Sequence, residues 1–342
     1  MGKVLAVLAA AAMAAGLGAN AQAQKLVVAG YGGSFEDIMR KEIFPPFAKQ
    51  HGVELNYVAG NSTNTVARLQ AQKSNQQVDV AIIDDGPMYQ AIALGFCAPI
   101  KGLPADDLYG TARYKDDKAV AIGIVATGIM YNKKAFEEKK WAPPESWKDL
   151  KDPKYKKQLV IPPLNNTYGL HALVEYAREG GGGEKKIDPG FATFKNEVGP
   201  NVLVYEPSPG KMTELFSSGQ AVISVWGSGR VKAFADTGFP VGFVYPKEGA
   251  YALLSSVCPV AKPDANPLAQ TFVQYLVSPE VQEKLASAYG YGPVNKKAKV
   301  TDDPRVPLPI GKRADDLIVI DWDTVNQNRD DWNKRWTREI ER

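Results

Sequence analysis

Histidine is almost absent from this chain, at positions 51 and 171 alone, and cysteine is as scarce, at 97 and 258. Neither cysteine sits in a Cys-x-x-Cys pair, and only His51 or His171 could serve either thiol as a base, so thiol catalysis has little to build on. No Gly-x-Ser-x-Gly or His-Glu-x-x-His pattern offers another nucleophile or metal site. An exported hydrolase or transferase is therefore kept only as a minor alternative. An excess of either charge is missing too: 41 Lys and Arg face 38 Asp and Glu along the chain. The concentrated basic stripe that nucleic acid requires is not there, so no nucleic-acid partner is expected. Gly180 to Gly183 lacks the Lys-Ser/Thr of a phosphate loop. The Gly30-x-Gly32-Gly33 run lacks the third glycine and the following acidic residue of a dinucleotide fingerprint. No repeat of solenoid length is present.

The one long apolar run is short for a membrane span. Lys3 precedes an apolar stretch from Val4 to Leu17, and Ala21-Gln22-Ala23 follows. A charged start, an apolar centre and a small-x-small site make a secretory signal peptide over residues 1–23, with the uncleaved anchor as the alternative. The mature chain is thus expected outside the cytoplasm, where capture of nutrients is common. What remains, 44% hydrophobic and 23% charged, suits a globular protein with room for two separate cores.

The pattern then alternates. Lys25 to Ser34 reads as a buried strand entering a glycine turn, with Ser34 placed to cap a helix from Phe35 to Phe47. Val53 to Val58 is a second strand, followed by a polar cap at Asn61 to Thr65 and a helix from about Val66. Asp79 to Ile83 is a third, ending at Asp84-Asp85-Gly86-Pro87, with a helix from Met88 to Leu94. Strands alternating with helices favour a parallel open sheet, whose ligand sites lie at the carboxyl ends of its strands. The loops Tyr31 to Ser34 and Asp84 to Pro87 are the first site candidates. The glycines leave room for a ligand near backbone amides at a helix start, or form a mere tight turn.

Residues 119–132 form an extended stretch too long for one ordinary strand and read as a crossing between lobes; residues 241–254 read as the return crossing. Between them lies a second alternating region, including Leu159 to Ile161, Val202 to Tyr205 and Ala221 to Trp226. The tail places Trp322, Val325, Arg329, Trp332, Trp336 and Ile340 on one face of a terminal helix, read as core packing. Cys97 and Cys258 either form a disulfide, and then belong to one lobe, or are two buried small apolar side chains.

Six segments in register resemble a known family: Tyr31-Gly-Gly-Ser34, Gly128-Ile-Met-Tyr-Asn132, Trp147 to Leu150 with Pro153-Lys-Tyr155, Val225 to Arg230, Tyr245 to Gly249, and Tyr289 to Asn295. Together they resemble the spermidine/putrescine-type periplasmic solute-binding proteins of ABC importers. The resemblance implies an α/β fold of the periplasmic-binding-protein type II kind, with two α/β lobes joined by two crossing segments and a ligand cleft between them. The lobes are expected at residues 24–122 with 251–305, and 123–250 with 306–342, the chain's end packing with the second. It further implies a periplasmic protein acting as a monomer, docking on an inner-membrane permease, with no cofactor or metal and no bond made or broken.

The sequence departs from the polyamine pattern where the ligand is chosen. Polyamine binders carry Trp-x-Asp after the Pro-Lys-Glu-Gly segment, whereas this chain has Leu253-Leu254-Ser255. The loop Pro162 to Tyr168, which carries carboxylates in those proteins, has none. Arg230 follows the strand ending in Trp226, and a guanidinium at a cleft mouth prefers a planar carboxylate; the alternative is a surface ion pair. Aromatic faces from Tyr31, Tyr168, Trp226 and Tyr251, with Asp84 or Asp85 for an amine, suit a small amino acid with separated charges, γ-aminobutyrate-like, or an acid without an amine. The candidate ligand set is Tyr31, Gly33, Ser34, Asp84, Asp85, Thr127, Asn165, Tyr168, Trp226, Arg230, Tyr251 and Ser255. A polyamine ligand is the main alternative. A ferric ion is a lesser one, since Tyr289 and Tyr291 lie in the family's Gly-Pro-Val-Asn segment with no metal-type cluster beside them.

Overall fold

The computed structural model describes residues 24–341, so the signal peptide expected over 1–23 lies outside the described residues. Nine strands form one hydrogen-bonded sheet: β1 (Gln24–Tyr31), β2 (Val53–Gly60), β3 (Val80–Asp84), β4 (Val120–Asn132), β5 (Leu159–Ile161), β6 (Val202–Tyr205), β7 (Ile223–Gly227), β8 (Val241–Val244) and β9 (Tyr251–Pro259). Their order is β2-β1-β3-β9-β4-β7-β5-β6, with β8 on β4. The expected parallel arrangement holds for β1 with β2 and β3, and for β5 with β6 and β7. The sheet as a whole is mixed, because β9 lies antiparallel to β3 and β4, as do β7 and β8 to β4.

β4 is a single 13-residue strand, and its length has a cause. Its first part, Val120 to Thr127, pairs with β9, while Thr127 to Asn132 pairs with β7 and β8. Almost every residue along it is buried, so it is a spine passing through two cores. One core draws on residues from Leu26 to Val125 and from Leu253 to Val294, and the other on residues from Ile129 to Tyr251 and from Ile320 to Trp336. The chain passes between them a third time after Val294. On that passage the Ile318 amide donates to the Ala250 carbonyl at 2.9 Å, and the Ala252 amide to the Ile318 carbonyl at 2.8 Å. The sequence reading names two crossing segments, and its expectation that the chain's end packs with the second lobe requires a third passage of this kind.

Three helix starts differ from expectation. Gly33, at φ 70°, occupies the N-cap position and Ser34 is the first helical residue, with no side-chain cap; an αL-side φ favours glycine there. Asn61 caps a helix that begins at Ser62, four residues earlier than expected, in a reciprocal arrangement with Asn64. The helix after β3 likewise starts at Asp85 rather than Met88. Cys97 and Cys258 are bonded, with Cα atoms 5.6 Å apart, which settles the open alternative in favour of the disulfide. Both belong to a cluster with Ala81, Met88 and Phe96. The terminal helix Trp322–Glu339 buries Trp322, Val325, Trp332 and Trp336, and the Trp336 ring packs 4.8 Å from that of Phe194.

Candidate functional site

Parallel strands deliver their carboxyl ends to one edge, and here two such edges face each other. β1, β2 and β3 end at Tyr31, Gly60 and Asp84; β5, β6 and β7 end at Ile161, Tyr205 and Gly227. Helices begin just beyond, at Ser34, Ser62, Asp85, Thr167, Pro209 and Ser228. Their first amides, without intrahelical partners, give the space between a positive bias. That space is a cleft of about 980 Å³.

Eight of the candidate residues line it: Tyr31, Gly33, Ser34, Asp84, Asn165, Tyr168, Trp226 and Arg230. The Tyr31 hydroxyl donates to Asp84 Oδ1 at 2.7 Å, and Tyr31 is itself held by the Tyr57 hydroxyl, which donates to its carbonyl at 2.7 Å. Burial raises the Asp84 carboxyl above its ordinary value, opposed by hydrogen bonds from Tyr31 and Ser62 and by the charges of Arg230 and Arg329. Burial likewise pushes the Tyr31 phenol up, and the charge of Asp84 adds to it. The rings of Tyr168 and Trp226 meet at 5.1 Å, forming one aromatic wall.

Arg230 is half-buried, lines the cleft beside the Tyr168 hydroxyl, and has no carboxylate ion-pair partner among the described residues. Its guanidinium sits 5.9 Å from the ring centre of Tyr289. Burial disfavours its charge and the carboxylate of Asp84 favours it, and as a guanidinium it stays a cation. It is a fixed donor fork with open valence.

Four candidates stand behind the wall rather than in it. Asp85 is buried, and its Oδ1 accepts from the Gly86 amide at 3.1 Å. Burial, with the charge of Asp84 added, pushes its carboxyl up to about 7. Thr127 lies where β4 changes partners, and its Oγ1 is 2.8 Å from His171 Nδ1. Tyr251 is fully buried; its hydroxyl donates to Glu175 Oε2 at 2.7 Å and its ring stacks on His171 at 5.1 Å. Ser255 pairs with Asp84 across β3 and β9 and is fully buried, its hydroxyl unpartnered beside the phenols of Tyr31 and Tyr291. In strands buried on both faces, the polarity of a residue does not reveal which face meets the cleft.

The sequence reading missed Asn61, Ser62, Tyr289, Tyr291 and Arg329, which also line the cleft. In sequence Tyr289 and Tyr291 point only to the ferric alternative; their rings meet edge-on at 4.8 Å, and Arg230 lies over the first. By spacing alone Arg329 falls on the packing stripe of the terminal helix. A charge in an otherwise apolar face was the signal available.

The sequence pattern of the family described as bacterial extracellular solute-binding protein matches residues 42–307. The thiamine-binding periplasmic protein of Brucella melitensis is 25% identical over 85% of this chain and 84% of its own length. The spermidine/putrescine-binding periplasmic protein of Escherichia coli is 24% identical over 78% of each. The solved structure of the Atu4243–GABA receptor superposes with a TM-score of 0.76, at 18% identity, over 92% of this chain and 97% of that one. The architecture is accordingly that of the type II periplasmic binding proteins.

Proposed function

The chain belongs to the bacterial extracellular solute-binding protein family, and on that premise we propose that it is the periplasmic receptor of an ABC importer, a binder and not an enzyme, whose ligand is a small amino acid with separated charges, of the γ-aminobutyrate type. The observation that carries this reading is the pairing of an open guanidinium, Arg230, with a cleft carboxylate, Asp84, across an aromatic-walled space. Arg230 takes the ligand carboxylate by two parallel hydrogen bonds. Asp84, steadied by Tyr31, takes the ammonium, and the Tyr168 and Trp226 faces cover the methylenes. The Atu4243 structure, named for γ-aminobutyrate, is in keeping with that ligand.

The lobes, residues 24–122 with 251–305 and residues 123–250 with 306–342, close on the ligand by bending where β4, the β8–β9 link and the 306–321 passage run side by side. Ligand contacts made from both sides favour the closed form, which is what the inner-membrane permease receives. A polyamine fits less well, since a polycation meets Arg230 and Arg329 against a single lining carboxylate, Asp84.

A thermal-shift series tests the reading, because binding to the native state raises its melting temperature. γ-Aminobutyrate-type amino acids are expected to raise the melting temperature, and spermidine, putrescine and thiamine are not. A shift with spermidine alone rejects this ligand class in favour of the polyamine alternative.

A further inference from the structure

Most arginines among the described residues are paired with carboxylates. Arg40, Arg113, Arg178, Arg305, Arg313, Arg335 and Arg338 each reach an Asp or Glu. Among the described residues three do not: Arg68, which is exposed, and the half-buried Arg230 and Arg329. Both half-buried ones line the cleft. Arg329 makes one hydrogen bond, from Nη2 to the Asn165 carbonyl at 3.1 Å, and its remaining donors are unspent. Burial works against its charge, and Asp84 and Asp85 offset this only in part. A cation held in that state costs folding free energy, so its position calls for a ligand that repays it.

The terminal helix holds Arg329 in place. Asn326 Nδ2 donates to the Gly86 carbonyl at 3.2 Å, the Trp322 ring covers Gly86, and Trp336 is anchored in the far core. Charge then limits the ligand. Asp84, Arg230 and Arg329 are the charged residues of the lining, so the cleft carries one positive charge beyond what Asp84 balances. A neutral zwitterion of the γ-aminobutyrate kind leaves one guanidinium unmatched.

We propose that Arg329 is a specificity-determining ligand residue and that the solute is an amino acid with two acidic groups, a glutamate-like amino diacid. Arg230 takes one carboxylate, Arg329 the other and Asp84 the ammonium. This rests on the amino-acid reading given above and sharpens it: the ligand has net charge −1, matching the cleft.

Calorimetric titration of the purified protein with L-glutamate, D-glutamate, 2-aminoadipate and γ-aminobutyrate decides the matter. The best amino diacid is expected to bind at least about tenfold tighter than γ-aminobutyrate, the contribution of a charge-assisted contact. R329Q should erase that preference, weakening the best amino diacid at least about tenfold more than γ-aminobutyrate, and R329K should retain part of it. If γ-aminobutyrate binds as tightly as every amino diacid, or if R329Q weakens both kinds equally, the inference fails and the amino-acid reading survives. If no amino acid of either kind binds, both fail. The wild-type ratio is decisive even if R329Q does not fold.

Discussion

The indole of Trp322 lies directly over Gly86, so close that a Cβ built on Gly86 falls 2.3 Å from Trp322 Cζ3. Gly86 follows Asp85 at the start of the helix after β3, in the first half of the molecule, whereas Trp322 opens the terminal helix and belongs to the second core. The Asn326 amide adds a bond to the Gly86 carbonyl at 3.2 Å. One small residue thereby lets the end of the chain reach across and place Arg329 in the cleft.

Gly86→Ala should force that contact apart. Overpacking a buried site typically costs about 1–3 kcal/mol, and denaturant unfolding is expected to report a loss at the upper end of that span, because the clash is with a rigid ring. Ligand affinity should fall with it, since Arg329 moves with the helix. Unchanged unfolding would mean that the helix rides on Gly86 without being positioned by it.

The Cys97–Cys258 bond closes a separation of 161 residues inside one cluster, away from the cleft lining. The double substitution C97A/C258A is expected to remove about 2–5 kcal/mol of stability. Ligand affinity at 20 °C should stay within about twofold, because no cleft residue depends on the bond. Melting curves with and without reductant, followed by titration, give both numbers. A large loss of affinity at undiminished stability would contradict this division.

Arg230 separates binding from stability in the opposite way. An unpaired, half-buried guanidinium contributes little to the ligand-free fold, so R230Q should leave the free protein as stable as wild type or slightly more so. Losing a bidentate carboxylate contact of about 2–3 kcal/mol should weaken the ligand roughly 30- to 150-fold. A drop in the melting temperature of the ligand-free variant would instead make Arg230 a structural residue.

Much of the frame was open to view in the chain. β1, β2 and β3 appear as short apolar runs between turn residues, and the loops at their ends, Tyr31 to Ser34 and Asp84, do line the cleft. What stayed hidden depends on facing. Asp84 and Asp85 are adjacent and chemically alike, yet the first faces the cleft and the second turns behind it, because the strand ends and the helix begins between them. Thr127 and Tyr251 are polar groups in strands buried on both sides, and their hydroxyls are taken up by His171 and Glu175. Arg329 shares its helical face with Trp322, Val325, Trp332 and Trp336, so periodicity alone assigned it to packing. Such assignments follow from the third dimension, which spacing along the chain does not contain.

The two buried groups beside this frame make opposing contributions to stability as pH changes. Burial moves Asp85 from 3.8 up to about 7, so the folded state takes up a proton more readily than the unfolded chain. Its contribution is complete below pH about 4 and is lost as the pH rises through 7. Burial moves His171 from 6.5 down to about 3, and the nearby charges of Arg178 and Arg329 add to the shift. The folded state there refuses a proton that the unfolded chain accepts, so its contribution is present above pH about 6.5 and is lost as the pH falls towards 3. Between pH about 4.5 and 6.5 these two slopes have similar size and opposite sign, so each offsets the other in the wild type. Asp85→Asn keeps the acceptor for the Gly86 amide but removes one slope, so its melting temperature should rise with pH across that window. His171→Asn removes the other, and its melting temperature should fall. Curves for wild type and D85N that superimpose from pH 4.5 to 6.5 would show that Asp85 titrates as it does in the unfolded chain, and that burial behind the cleft wall leaves its carboxyl where solvent would.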